Sequence, residues 1–117
     1  MKTILVVDDE RPMRAIYKEA LEAEGFQVLE AQDAIQANEV LKKTTPDIVL
    51  LDLRLPGVDG STMFDVISLF HKQVKVIVNS VFPVDEQQKF VTGAAGYNDK
   101  GEGVAVLIQK IKELLDA

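Results

Sequence analysis

Three aspartates stand where apolar runs end. Ile4-Leu5-Val6-Val7 leads straight into Asp8-Asp9-Glu10, and Asp47-Ile48-Val49-Leu50-Leu51 leads straight into Asp52. Aspartate is disfavoured inside strands and costly to bury, so each acid marks a strand exit. If the two strands are parallel neighbours, Asp8, Asp9 and Asp52 meet at one edge of the sheet. Carboxylates held together repel one another, and a hard divalent cation relieves that repulsion through oxygen coordination. A run such as Asp8-Asp9-Glu10 is otherwise an ordinary solvated loop end; its placement beside Asp52 is what makes it chemical.

The rest of the chain supplies the elements that would hold these acids. Thr3–Val7 reads as a buried strand. Pro12 suits a first helical turn, and Met13, Ile16, Tyr17, Ala20 and Leu21 share one helical face, with Gly25 as the stop. Gln27–Ala31 is a second strand, and Asp33 caps a helix through Lys43. Asp47–Leu51 is the third strand. Leu55-Pro56-Gly57-Val58-Asp59-Gly60 has turn chemistry, and Met63, Val66, Ile67 and Phe70 stripe the next helix. Val74–Val78 is a fourth strand, and a short helix with a thin apolar face falls within Pro83 to Thr92, ended by Gly93. Ala95–Asn98 is a short fifth strand. Val104, Leu107, Ile108, Ile111, Leu114 and Leu115 stripe a last helix.

Strands alternating with helices imply an α/β fold, a doubly wound five-stranded parallel sheet covered on both faces. In such sheets the ligand site lies beyond the carboxyl ends of the strands. Asp8, Asp9 and Asp52 fall at that rim. Ser80, just after the fourth strand, and Lys100, just after the fifth, join them.

Composition bounds the rest. The 117 residues suit one domain, expected to span the whole chain. A hydrophobic fraction of 47% supports a core rather than disorder. With no cysteine, a disulfide framework, a thiolate metal site and a thiol nucleophile are excluded, and a reducing, cytoplasmic location is expected. No signal peptide is evident, and no apolar stretch approaches membrane-spanning length, so no membrane association is expected. The formal net charge of −6 argues against direct nucleic-acid binding.

The pattern resembles the receiver domain of bacterial two-component response regulators. The matching stretches are VVDDE at Val6–Glu10, DIVLLDLRLPGVDG at Asp47–Gly60, VIVNSVF at Val76–Phe82 and AAGYNDK at Ala94–Lys100, and the likeness runs the length of the chain. It implies a flavodoxin-like, CheY-like sandwich with strand order 2-1-3-4-5. It implies that Asp52 is the phosphoacceptor, taking a phosphoryl group from a phosphohistidine to give an aspartyl phosphate. It implies that Asp9 and Asp8 hold Mg²⁺, with Asp52 and the backbone carbonyl of Arg54 completing the protein ligands. Lys100 would pair with a phosphoryl oxygen and Ser80 would donate to another. Ser80 and Tyr97 would form the switch, altering the surface of the fourth helix, fifth strand and fifth helix. Arg54 and Phe82, two residues after the acceptor and the switch hydroxyl, would tune the phosphate lifetime. The implied partners are a sensor histidine kinase or histidine phosphotransfer protein, and a downstream target or an output domain lying outside this chain. A phosphorylation-dependent dimer through the switch surface also follows.

Four residues or segments depart from the family pattern. Gly101 follows Lys100 where many relatives carry proline, so a cis peptide is not expected there. Val81 replaces a small residue and is expected to narrow access to the site. Asn79 places an amide where the family is usually apolar. The stretch from Ser80 to Lys100 is short, which bears on the fourth helix.

Three other classes compete. A haloacid-dehalogenase-like phosphatase shares a strand-end nucleophilic aspartate, but needs a second acid two residues on, where Arg54 stands. A receiver-like interaction module that takes no phosphate is disfavoured by the intact Asp9, Asp52, Ser80 and Lys100 set. A flavodoxin-like nucleotide binder is disfavoured by the missing Gly-rich loop. The expectation is therefore a phosphoacceptor switch rather than an enzyme acting on external substrates. His71, the only histidine, reads as a solvent-facing residue.

Overall fold

The computed structural model describes residues 1–116, and its elements alternate throughout. They run β1 (Thr3–Val7), α1 (Arg11–Ala23), β2 (Gln27–Ala31), α2 (Ala34–Lys43), β3 (Ile48–Leu51), α3 (Gly60–Phe70), β4 (Lys75–Ser80), α4 (Val84–Phe90), β5 (Gly96–Asp99), a 3-10 turn (Lys100–Glu102) and α5 (Val104–Asp116). All strand pairs are parallel, and the order is β2-β1-β3-β4-β5.

Two-residue alternation along the strands feeds apolar packing on both faces of the sheet. Leu5, Val7, Val49, Leu51 and Val76 pack with Ala34, Ala37 and Leu41 of α2 and Met63 and Ile67 of α3. Ile4, Val6, Ile48, Leu50 and Ile77 pack with Tyr17 and Leu21 of α1 and Leu107 and Ile111 of α5. The helices span only 7 to 13 residues, a length at which isolated helices are marginal in water. Their stability therefore comes from these buried faces.

Helix starts follow side-chain chemistry. Asp33 accepts from the Gln36 N–H to cap α2, and Asp59 accepts from the Thr62 N–H to cap α3. Pro12 lies in the first turn of α1, and Gly25 takes φ +92° just past its end.

Some boundaries differ from the sequence reading. β4 begins at Lys75 and runs on through Asn79 and Ser80, because its register with β5 pairs Asn79 with Asn98 and Ser80 with Asp99. Ser80 is therefore the last residue of a strand rather than the first of a loop. β3 begins at Ile48 and β5 covers Gly96–Asp99. α4 is seven residues long and ends at Phe90, before Gly93. Ile16 and Phe70 lie on the predicted apolar stripes yet are 50% and 74% exposed; each stripe is wider than the strip of helix that touches the sheet. No peptide bond among the described residues is cis, in line with Gly101. No helix among them is long and apolar enough to cross a membrane.

Candidate functional site

Strand register brings the acids together. Val7 pairs with Leu51, so Asp8 and Asp52 are each one step beyond a paired position. The Asp52 N–H donates to the Val7 carbonyl at 3.1 Å, and the Asp8 N–H donates to Ala31 at 3.1 Å. Both aspartates thus stay tied to the sheet and are buried, at 1% and 5% exposure.

Lys100 joins them. Its ammonium donates to Asp8 Oδ2 at 2.6 Å and to Asp52 Oδ2 at 2.8 Å. The remaining oxygens are also bonded: Asp8 Oδ1 accepts from the Glu10 N–H, and Asp52 Oδ1 from the Arg54 N–H at 3.0 Å. One ammonium between two carboxylates leaves a net negative charge in a desolvated corner. Burial pushes the Asp52 carboxyl above its ordinary value, against the bonds from Lys100 and the Arg54 N–H and with the Asp8 charge adding to the rise. Burial also works against the Lys100 charge, but its bonds to Asp52 and Asp8 outweigh it and hold the ammonium above its ordinary range.

The linkage has a definite sign. A carboxyl raised in the folded state favours folding least when ionised, so stability falls as pH rises through its titration. In the presence of a chelator, Asp52→Asn is expected to be more stable than wild type above the ordinary carboxylate value of 3.8. The gap should open as pH rises from acid toward neutrality. Melting temperatures of both proteins across that range check this; a gap that stays constant or closes contradicts it.

Asp9 is exposed, and its carboxylate groups with those of Asp8 and Glu10 within 4.8 Å. Asp52 lies outside that group and is linked to it through Lys100. Glu10 was not among the expected ligands, although it is part of the same acidic run. The donors at this corner are carboxylate oxygens, with no thiolate or imidazole among them, a set that fits a hard cation such as Mg²⁺. Arg14 supports the corner from α1: its guanidinium donates to the Asp8 carbonyl at 2.7 Å and to Glu30 at 3.3 Å. Nothing in the residue spacing signals that role.

The other expected residues surround this core. Ser80 is fully buried at the end of β4, and its Oγ accepts from the Phe82 N–H at 3.3 Å. The Arg54 side chain is exposed, with its guanidinium 5.0 Å from the centre of the Phe82 ring, and Phe82 in turn meets Phe90 at 5.7 Å. Val81 beside them is 54% exposed. Tyr97 is half-buried, and its hydroxyl donates to the Val91 carbonyl at 2.7 Å and accepts from the Ala94 N–H. That bond ties β5 to the end of α4, away from the carboxylates. His71 caps α3 and is half-buried rather than fully solvent-facing.

Asn79 is buried and paired across the sheet with Asn98. Its Oδ1 accepts from Asn98 Nδ2 at 2.9 Å on the α1 side of the sheet, near the buried Tyr17. Burial raises the Tyr17 hydroxyl above its ordinary range, and the neighbouring Asn79 side chain offsets part of the rise. An amide replaces an apolar residue here because neighbouring polar groups satisfy it.

Comparison with known proteins agrees with this geometry. The response regulator receiver domain family matches residues 4–112. Sporulation initiation phosphotransferase F of Bacillus subtilis is 33% identical over 79 residues, covering 68% of this chain and 64% of that one. Chemotaxis protein CheY of Bacillus subtilis is 37% identical over 99 residues, covering 82% and 80%. Among solved structures, response regulator protein TrrA from Thermotoga maritima in complex with Mg²⁺-BeF superposes with a TM-score of 0.89 at 31% identity, covering 97% of this chain and 99% of that one. The chain belongs to the response regulator receiver domain family and is a receiver of two-component signalling. Some relatives are longer: the chain spans 54% of response regulator GacA of Pseudomonas viridiflava.

Proposed function

We propose that Asp52 accepts a phosphoryl group from the phosphohistidine of a histidine kinase or histidine phosphotransfer protein. The observation that carries this is the Lys100 ammonium bonded at once to Asp8 and Asp52 at the sheet's carboxyl edge. An Asp52 oxygen attacks phosphorus, the P–N bond breaks, and the imidazole leaves with the bonding pair. Lys100 gives up its bond to the carboxylate and pairs with a phosphoryl oxygen instead, a compact charge suited to that exchange. Asp8, Asp9 and Asp52, with the Arg54 backbone carbonyl, would hold Mg²⁺, and Glu10 stands within the same acidic group. When bound, the cation supplies charge neutralisation for an anionic group approaching carboxylates. Ser80 Oγ leaves the Phe82 N–H and donates to a second phosphoryl oxygen.

Phosphate on Asp52 then biases an existing two-state equilibrium. A shift from mostly resting to mostly active requires roughly 5 kcal/mol of differential interaction. Tyr97 turns inward only by releasing the Val91 carbonyl and the Ala94 N–H, so its movement is coupled to α4. The surface of α4, β5 and α5 passes the signal to a downstream target, to an output domain, or to a second copy in a phosphorylation-dependent dimer. The chain acts on its own carboxylate rather than as an enzyme on external substrates, since Arg54 occupies the position where a second acid would be needed. A phosphohistidine donor of this kind would meet it in the cytoplasm.

Incubation with Mg²⁺ and a small phosphodonor such as acetyl phosphate is expected to add one phosphoryl group to the intact mass of wild type and none to Asp52→Asn. An unmodified wild type under saturating donor overturns the proposal. The Arg54–Phe82–Phe90 stack lies at the site's rim, so Phe82→Gly is expected to admit water and speed loss of phosphate severalfold. The decay rate of the phosphorylated protein measures this, and an unchanged rate contradicts it.

A further inference from the structure

Gln87 is a polar residue in the middle of a seven-residue helix, yet it is fully buried. Its Nε2 donates its two N–H groups to the carbonyls of Phe82 at 2.7 Å and Asn98 at 2.8 Å and shares one of them with the Ser80 carbonyl at 3.4 Å. One amide therefore connects the last residue of β4, the loop after it and the centre of β5. Its Oε1 has no partner among the described residues, so the side chain is held through its donor alone. The Ser80 and Phe82 carbonyls belong to the segment that must shift if Ser80 is to turn toward Asp52, while the Asn98 carbonyl anchors the amide to the neighbouring strand. In the present arrangement Ser80 Oγ faces its own loop, accepting from the Phe82 N–H.

We infer that Gln87 is the positioning residue that holds Ser80 in its resting orientation and so sets the threshold of the switch. The inference rests on the proposed movement of Ser80 toward a phosphoryl group. The clamp fixes the carbonyls of Ser80 and Phe82 together, which fixes the turn presenting the Ser80 hydroxyl. Turning Ser80 toward Asp52 pulls at least one of these carbonyls from the amide. A hydrogen bond contributes about 1 kcal/mol net to the state that contains it. Loss of the clamp therefore favours the turned state.

Gln87→Met keeps the length and removes the donor. Titration with beryllium fluoride in Mg²⁺, a phosphoryl mimic, is expected to show about fivefold tighter apparent binding to this variant than to wild type. Thermal melting of the same samples separates a structural role: a lower melting temperature with unchanged or weaker affinity overturns the inference. Wild type supplies a second measurement that does not depend on the variant folding. The Gln87 side-chain amide protons should resist solvent exchange in Mg²⁺ alone and lose protection when beryllium fluoride is added; unchanged protection overturns the inference. Failure of wild type to bind beryllium fluoride at all would instead overturn the phosphoacceptor reading on which it rests.

Discussion

Lys100→Met is expected to destabilise the domain by about 3–5 kcal/mol in the presence of a chelator, the range for removing one partner from a buried charge cluster. The side chains of Lys100, Asp8 and Asp52 are all at most 6% exposed, and the ammonium is 2.6 and 2.8 Å from the two carboxylates. Without it, two buried carboxylates share a corner whose only other donors to them among the described residues are the Glu10 and Arg54 N–H groups. Total stabilities of small domains are about 5–15 kcal/mol, so the loss is a large fraction of what holds the fold. Mg²⁺ should recover part of it, because a ligand that binds only the folded state stabilises that state. Phosphoryl incorporation should still fall about 100-fold in Mg²⁺, the scale for deleting one preorganised group that stabilises developing charge. Denaturant unfolding with and without Mg²⁺, and incorporation rates on the folded variant, measure the two effects. A variant as stable as wild type in chelator would show that the ammonium is not needed to hold the acids.

The second large effect is steric. Gly60 opens α3, and a Cβ there would lie 2.3 Å from the Asp52 carbonyl oxygen and 2.5 Å from Leu53 Cα. Both are backbone atoms and cannot swing aside. The Gly60 N–H also donates to the Leu53 carbonyl at 3.0 Å, so the contact is fixed from both sides. Gly60→Ala must push the helix start away from the segment that carries the acceptor. A loss of about 3 kcal/mol is expected, the upper part of the range for overpacking, together with reduced phosphoryl incorporation. Gly101→Ala makes the control. Its Cβ would meet only the tip of the Asp99 side chain at 3.1 Å, so a loss below about 1 kcal/mol is expected. Chemical denaturation of both variants tests the contrast, and equal losses contradict it.

Much of this was legible in the residues. The run from Thr3 to Val7 could be assigned to a strand because its continuous apolar character reflects burial on both faces. Asp8 and Asp52 could be placed together because parallel strands of similar length end at one edge. The extension of β4 to Ser80 was not legible, since Asn79 looks like a strand-breaking amide until Asn98 is known to face it. Gln87 was hidden for the same reason: a glutamine in a short helix reads as surface, and only the fold supplies its three carbonyls. Gly60 could be read as a turn residue, but not as a point of contact with Asp52. Ile16 and Phe70 show the opposite error, because periodicity finds a face without saying how much of it is covered.

The most direct test of the account is the position of the phosphoryl group. Wild-type protein phosphorylated in Mg²⁺, trapped by borohydride reduction and digested, should yield a single modified peptide, with homoserine in place of Asp52. Reduction at Asp8, Asp9 or Asp59 while Asp52 remains unmodified would contradict the assignment of the reacting carboxylate and the switch built on it.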